Sequence, residues 1–198
     1  MPLSSPAPRQ PIHARDILCR GYRRDDGLWD IEGWLADTKA YGFETLERGV
    51  ISPGDRIHGM WLRLTLDDDF TVRGIEASTD DSPYRGCPSI TPNFQRLLGL
   101  TVGAGWNRAV KERLSGVHGC THLVEMLGPL ATVAFQTIYP LLVREQLERD
   151  EADAAAGRRR LAHAEPAQRP SLLDTWHMRA RDGDVARRYW PDFYTGPK

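Results

Sequence analysis

The sequence predicts an α+β protein in which a small antiparallel sheet of about three strands packs against helices. Two observations carry this reading. Between Trp29 and Ala77 side chains alternate in polarity with the period of two of half-buried strands. From Leu123 to Ile138 apolar residues recur at spacings of three and four, the stripe of a helix laid on a core. A chain of 198 residues with 40% hydrophobic content can bury one sizeable core, which argues for one domain with appendages.

The elements follow in order. Residues 1–15, with Pro2, Pro6 and Pro8, read as a disordered arm, and Ile17 to Arg24 leads into the first regular element. From Trp29, the residues Trp29, Ile31, Gly33 and Leu35 share one face of a strand. Ala40 to Arg56 reads as a loop. In the next alternating run His58, Met60, Leu62, Leu64 and Leu66 share a face, so His58 starts on the buried side. Asp67-Asp68-Asp69 supplies a tight turn, and Phe70 to Ala77 returns as a third strand, with a bulge expected at Gly74.

Thr91-Pro92 has the form of a helix start, a hydroxyl cap followed by proline at the first helical position. A second helix is expected over Trp106 to Leu114, stopping at Gly116. The third helix carries Leu123, Val124, Leu127, Leu130, Ala131, Ala134, Phe135 and Ile138 on its stripe. Pro129 should kink it and Pro140 bend or end it. The core domain is thus expected over 16–145, a charged helix or linker over 146–170, and a C-terminal tail over 171–198. Trp176, Tyr189 and Trp190 in that tail suit docking on the domain.

Charge excludes some partners. Lys and Arg total 26 against 27 Asp and Glu, for a formal net charge of -1, so no overall field draws the chain to nucleic acid or an anionic membrane. The dense basic run Arg158-Arg159-Arg160 follows an acidic stretch and lacks interleaved aromatic residues, as a solvated linker does. Leu123 to Val143 is long and apolar enough to span a bilayer, yet it holds Glu125 and Gln136 and lacks flanking aromatic and basic anchors. It reads as a buried central helix, not a membrane span. Three cysteines and no apolar leader at the N-terminus point to a reducing cytoplasm.

Chemistry concentrates at Cys87 and in His118-Gly119-Cys120-Thr121-His122. Cys120 stands at a helix start, where the dipole favours the thiolate. A Cys-x-His pair inside a helix would splay its side chains by the 3.6-residue period, so Cys120 and His122 can share an ion only if Cys120 precedes the first turn. Cys87, Cys120 and His122 then leave one position, for His58 from the sheet or His118 as a substitute ligand. Soft thiolate and imidazole ligands suit zinc or iron. The same atoms also permit a Cys120 nucleophile activated by His118 or His122, or a purely structural role for both cysteines and histidines. Asp37, at the end of the first alternating strand, and Glu125, one turn into the third helix, are the candidate general bases. No glycine pattern matches a phosphate loop.

The blocks Arg24-Asp25-Asp26-Gly27-Leu28-Trp29-Asp30-Ile31-Glu32-Gly33, His58-Gly59-Met60-Trp61-Leu62-Arg63-Leu64, Gly119-Cys120-Thr121-His122-Leu123 and Ala134-Phe135-Gln136-Thr137 resemble an uncharacterised bacterial family, domain of unknown function 2889, over about Asp16 to Pro191. That resemblance brings no activity with it. The order from His58 to Ile138 also looks like the NifU-type iron-sulfur scaffold proteins, which implies a NifU/SufE-like scaffold architecture and a metal held at positions that fall on His58, Cys87 and Cys120. With two thiolates instead of three, the likeness implies a mononuclear zinc or iron site better than cluster assembly.

These readings converge on a metal-binding protein with ligands His58, Cys87, Cys120 and His122, acting as a mononuclear metal-dependent hydrolase or lyase on a small organic substrate. A non-catalytic scaffold or structural zinc protein and a cysteine-nucleophile acyl hydrolase remain alternatives. The sequence leaves the oligomeric state open.

Overall fold

The computed structural model describes residues 3–155 and 173–197. Six strands come first: β1 (His13–Arg23), β2 (Trp29–Lys39), β3 (Phe43–Thr45), β4 (Gly49–Ile51), β5 (Arg56–Leu66) and β6 (Val72–Asp81). β1, β2, β5 and β6 form one antiparallel sheet in that order, while β3 and β4 make a separate hairpin between β2 and β5. The fold is α+β as expected, with four strands in the main sheet instead of about three. The added strand is β1, whose start at His13 lies in the segment expected to be a disordered arm. β1 is an edge strand of half-buried and exposed residues, with little apolar contrast to reveal it. What holds it is unbroken pairing with β2, from His13 opposite Lys39 to Arg23 opposite Trp29.

The alternation in β2 and β5 sorts the sheet faces as the sequence indicates. Trp29, Ile31 and Leu35 from β2 and Met60, Leu62, Leu64 and Leu66 from β5 are buried on one side. The stretch expected as a loop over 40–56 contains the β3–β4 hairpin. Asp67 builds the β5–β6 turn: its Oδ1 accepts the backbone N–H groups of Asp69 at 3.0 Å and Thr71 at 2.9 Å.

After β6, Cys87–Leu97 winds as a run of 3-10 turns. Helical turns therefore begin before Thr91-Pro92, and the Thr91 hydroxyl donates back to the Pro88 carbonyl at 3.0 Å instead of capping. Helix α1 (Trp106–Leu114) has the expected limits, and the Trp106 indole N–H donates to the Leu127 carbonyl at 3.2 Å. Helix α2 (Thr121–Ala155) runs through Pro129 and past Pro140, which does not end it. Length and composition alone would let α2 cross a membrane. Here Leu123, Met126, Leu127, Leu130, Ala134 and Ile138 lie in the same buried core cluster as the β2 and β5 residues.

Contact between α2 and the sheet is close. A Cβ at Gly21 in β1 would meet the Thr137 hydroxyl of α2 at 1.9 Å, and one at Gly33 in β2 would meet Leu130 at 3.2 Å. At these two positions the missing Cβ makes room for the Thr137 and Leu130 side chains of α2 to seat against the sheet. Arg23 pairs with Glu145 farther along the same two elements.

The chain divides into compact units at 1–149 and 150–198. The charged segment expected over 146–170 continues α2 as far as Ala155, and its remainder lies outside the described residues. Within the second unit, helix α3 (Asp184–Tyr189) follows a turn in which the Arg179 guanidinium lies 5.2 Å from the Trp176 ring and 5.0 Å from the Trp190 ring. Asp174 accepts from the Arg181 backbone at 2.9 Å and pairs with its side chain.

The Gly21 contact is testable. Gly21→Ala should destabilise the protein by about 1–3 kcal/mol through overpacking, measured by chemical denaturation. Thr137→Ala in the same chain should restore part of the loss by removing the hydroxyl that the new methyl meets.

Candidate functional site

Three adjacent strands present one row of side chains toward α2. Arg15 of β1 is the register partner of Asp37 of β2, and Asp37 is the partner of His58 of β5. Asp37 continues the buried face of Trp29, Ile31 and Leu35 and is 1% exposed. A buried carboxylate must be hydrogen-bonded and charge-compensated. Both needs are met from the row itself: Arg15 Nε donates to Oδ1 and a terminal guanidinium nitrogen to Oδ2, each at 2.7 Å, a bidentate fork. His58 Nδ1 lies 2.8 Å from Oδ2. Immediately beyond this row the β2–β5 register shifts, with Thr38 opposite Arg56 and Ile57 bulged out of the pairing.

The start of α2 covers the row. Gly119 ahead of it could carry no side chain, because a Cβ there would meet the Leu114 carbonyl oxygen at 2.1 Å. Cys120 comes next and its carbonyl accepts the Val124 N–H at 2.9 Å, so it caps the helix from outside the first turn, as the sequence requires of it. His122 then reaches the row. Its Nε2 is 3.8 Å from Asp37 Oδ2, and its ring stacks on that of His58 with centroids 3.7 Å apart and 30° between planes. Glu125, one turn on and half exposed, pairs with Arg15. His13 at the edge of β1 places Nε2 3.5 Å from Asp37 Oδ1.

Electrostatics leave this cluster with a charged centre and neutral imidazoles. Burial raises the Asp37 pKa, but hydrogen bonds from Arg15 and His58 outweigh it and hold the carboxyl below its ordinary range. Burial is the largest influence on His58 and pushes its pKa down. Asp37 opposes this, yet Asp37 is already compensated by Arg15, and the charges of Arg15 and His13 add to the downward shift. Burial likewise lowers His122, reinforced by His58 and Arg15. With Asp37 ionised and His58 neutral, the short contact assigns the His58 proton to Nδ1, donating to Oδ2.

The ligand atoms of Asp37, His58 and His122 all lie within 4.8 Å of one another. Among the described residues this group contains neither Cys87 nor Cys120. Cys120 Sγ sits 3.8 Å from Nδ1 of His122 while Nε2 of that ring faces Asp37, so the imidazole stands between the thiol and the carboxylate. Cys87 opens the 3-10 run after β6, with β5 between that strand and the β1–β2 pair that supplies Arg15 and Asp37. Its N–H donates to the Tyr84 carbonyl at 3.2 Å. His118, the expected substitute ligand, is exposed, and its carbonyl accepts from Asn93. Of the two candidate bases, Asp37 is the centre of the cluster and Glu125 lies at its rim. Sequence reasoning missed Arg15 and His13; the signal was their two-residue spacing in step with Ile17 and Cys19.

The lowered histidines predict a pH dependence. For a histidine whose folded pKa lies below 6.5, the unfolded chain binds the proton more readily, so the stabilisation is complete above 6.5 and is lost as pH falls through it. Metal-free protein should therefore lose thermal stability in mildly acidic buffer, and His58→Gln should flatten that slope. Asp37 acts in a separate window, losing its contribution only as pH falls below 3.8.

No curated protein and no solved structure matches the chain, so the likeness to NifU-type scaffolds gains no support. A protein family matches residues 13–136, a span that opens at His13 and takes in every member of the cluster. The chain belongs to that family, described as Protein of unknown function (DUF2889).

Proposed function

We propose that the protein binds one transition-metal ion through Asp37, His58 and His122 and uses it to activate water for a hydrolytic or lyase reaction on a small organic substrate. One observation carries this reading: two neutral imidazoles and a buried carboxylate, from β5, α2 and β2, bring one ligand atom each to within 4.8 Å of the others. Four-coordinate zinc with bonds of about 2.0–2.2 Å needs ligand atoms about 3.3–3.6 Å apart. The contacts of 2.8 Å and 3.8 Å to Asp37 Oδ2 lie on either side of that range.

Two histidines and one carboxylate also suit non-haem iron, which leaves zinc and iron as the candidate ions. Three protein ligands leave coordination positions for water and substrate, the pattern of catalytic sites. His58 and His122 side chains, 14% and 25% exposed, give those positions a route to solvent. Glu125, half exposed and one turn from His122, is the candidate general base. An ion bound at Nδ1 of His58 would shift the proton of that neutral ring to Nε2, so these three ligands take up the ion at neutral pH without net proton release.

Protein purified without a histidine tag should contain about one zinc or iron per chain by elemental analysis. Calorimetric titration of metal-stripped protein in buffers of different ionisation enthalpy should show little proton release from the ligands at neutral pH and more in acid, where the histidines begin protonated. Asp37→Asn, His58→Ala and His122→Ala should each weaken binding by more than about tenfold. Stoichiometric binding that survives all three substitutions would defeat the proposal.

A second reading rests on Cys120. Its Sγ faces Nδ1 of His122, whose Nε2 faces Asp37, the order of a cysteine-histidine-aspartate relay at a helix N-terminus. In that case Cys120 should react with iodoacetamide far faster than Cys19 or Cys87, and Cys120→Ser should abolish a burst of acyl-ester cleavage. Under the metal reading Cys120→Ser keeps the ion, because the thiol lies behind His122.

A further inference from the structure

We infer that Arg15 is the positioning residue of this centre, fixing the plane of the Asp37 carboxylate and the height of His122 above it. The inference rests on the metal-centre reading and adds a residue that touches neither ion nor substrate. Its basis is that one guanidinium holds both halves of the site. Nε and one terminal nitrogen grip the two oxygens of Asp37 at 2.7 Å each, and the other terminal nitrogen reaches Glu125. Glu125 lies three residues after His122, on the same side of α2.

A bidentate fork holds a carboxylate in the guanidinium plane. It also uses one lone pair on each oxygen, which leaves the second of Oδ1 on the side of His13 and the second of Oδ2 on the side of His58 and His122. The Glu125 contact then ties the first turn of α2 to the edge strand of the sheet. Without it, His122 would depend on the helix axis alone for its distance from Asp37. An ammonium group could supply the charge but not the fork or the second reach.

Electrostatics argue that Arg15 is kept for geometry. A fixed cation one hydrogen bond from a ligand oxygen opposes a dication. Glu125 offsets it: Asp37, Arg15 and Glu125 carry formal charges of −1, +1 and −1, leaving −1 to attract the ion.

The test uses full-length wild type, Arg15→Gln, Arg15→Lys and Glu125→Gln, titrated anaerobically with cobalt(II) and followed by visible absorption, with thermal melts to confirm folding. Wild type should bind one cobalt per chain with an intense ligand-field band. Arg15→Gln should bind about 10–100-fold more weakly, with the band weakened and displaced. Arg15→Lys, which keeps the charge, should not restore the band. Glu125→Gln, which leaves the Asp37 fork intact, should weaken binding by a smaller factor. The role is overturned if folded Arg15→Lys and Glu125→Gln both bind within about threefold of wild type with an unchanged band, whatever the state of Arg15→Gln. If wild type itself binds no cobalt, the centre falls and the role falls with it, a result distinct from a wild type that binds and variants that match it.

Discussion

The polar cluster at one end of the sheet is arranged around the compensation of one buried negative charge, that of Asp37. Asp37 is almost wholly removed from solvent, where an ionised carboxylate is tolerable only with strong partners. β1 supplies the cation, β5 the first imidazole and α2 the second, so side chains from three separate elements meet at one residue. Strand pairing makes this possible: in antiparallel register, residues opposite one another present side chains to the same face a few ångströms apart. The row Arg15, Asp37, His58 is such a set.

The apolar core does the complementary work. Leu123, Met126, Leu127 and Leu130 seat the first turns of α2 against β2 and β5, and Gly119 lets the chain enter the helix tight against α1. Packing therefore fixes the direction of the helix, while the polar row decides what its first turn meets. The division is economical because apolar contacts are non-directional and ion pairs are not. It also places the cluster at an end of the core, where His58 and His122 keep some access to solvent.

Much of this was legible in the sequence and some was not, for physical reasons. The stripe from Leu123 to Ile138, the limits of α1 and the alternation of β2 and β5 follow from periodicity, which burial enforces. The inward face of His58 and the entry position of Cys120 were readable in the same way. β1 was obscured because an edge strand that buries little shows little contrast, and with it Arg15 and His13 were lost to view. The thiolate-rich ligand set came from residue type and proximity in sequence. Neither reveals that the His122 ring presents opposite nitrogens to Cys120 and Asp37, because a two-residue spacing at a helix start permits either outcome.

The bulge at Ile57 gives the sheet a particular tolerance. It sits where β5 begins, after the β3–β4 hairpin and before the strand that carries His58. The phase of β5 is set downstream by Met60, Leu62 and Leu64, so the hairpin upstream can grow or shrink while the histidine keeps its orientation. A single residue gained or lost between His58 and Met60 would instead rotate the imidazole to the opposite side of the sheet. The β3–β4 excursion is thus the natural place to graft new sequence without disturbing the polar cluster beside it.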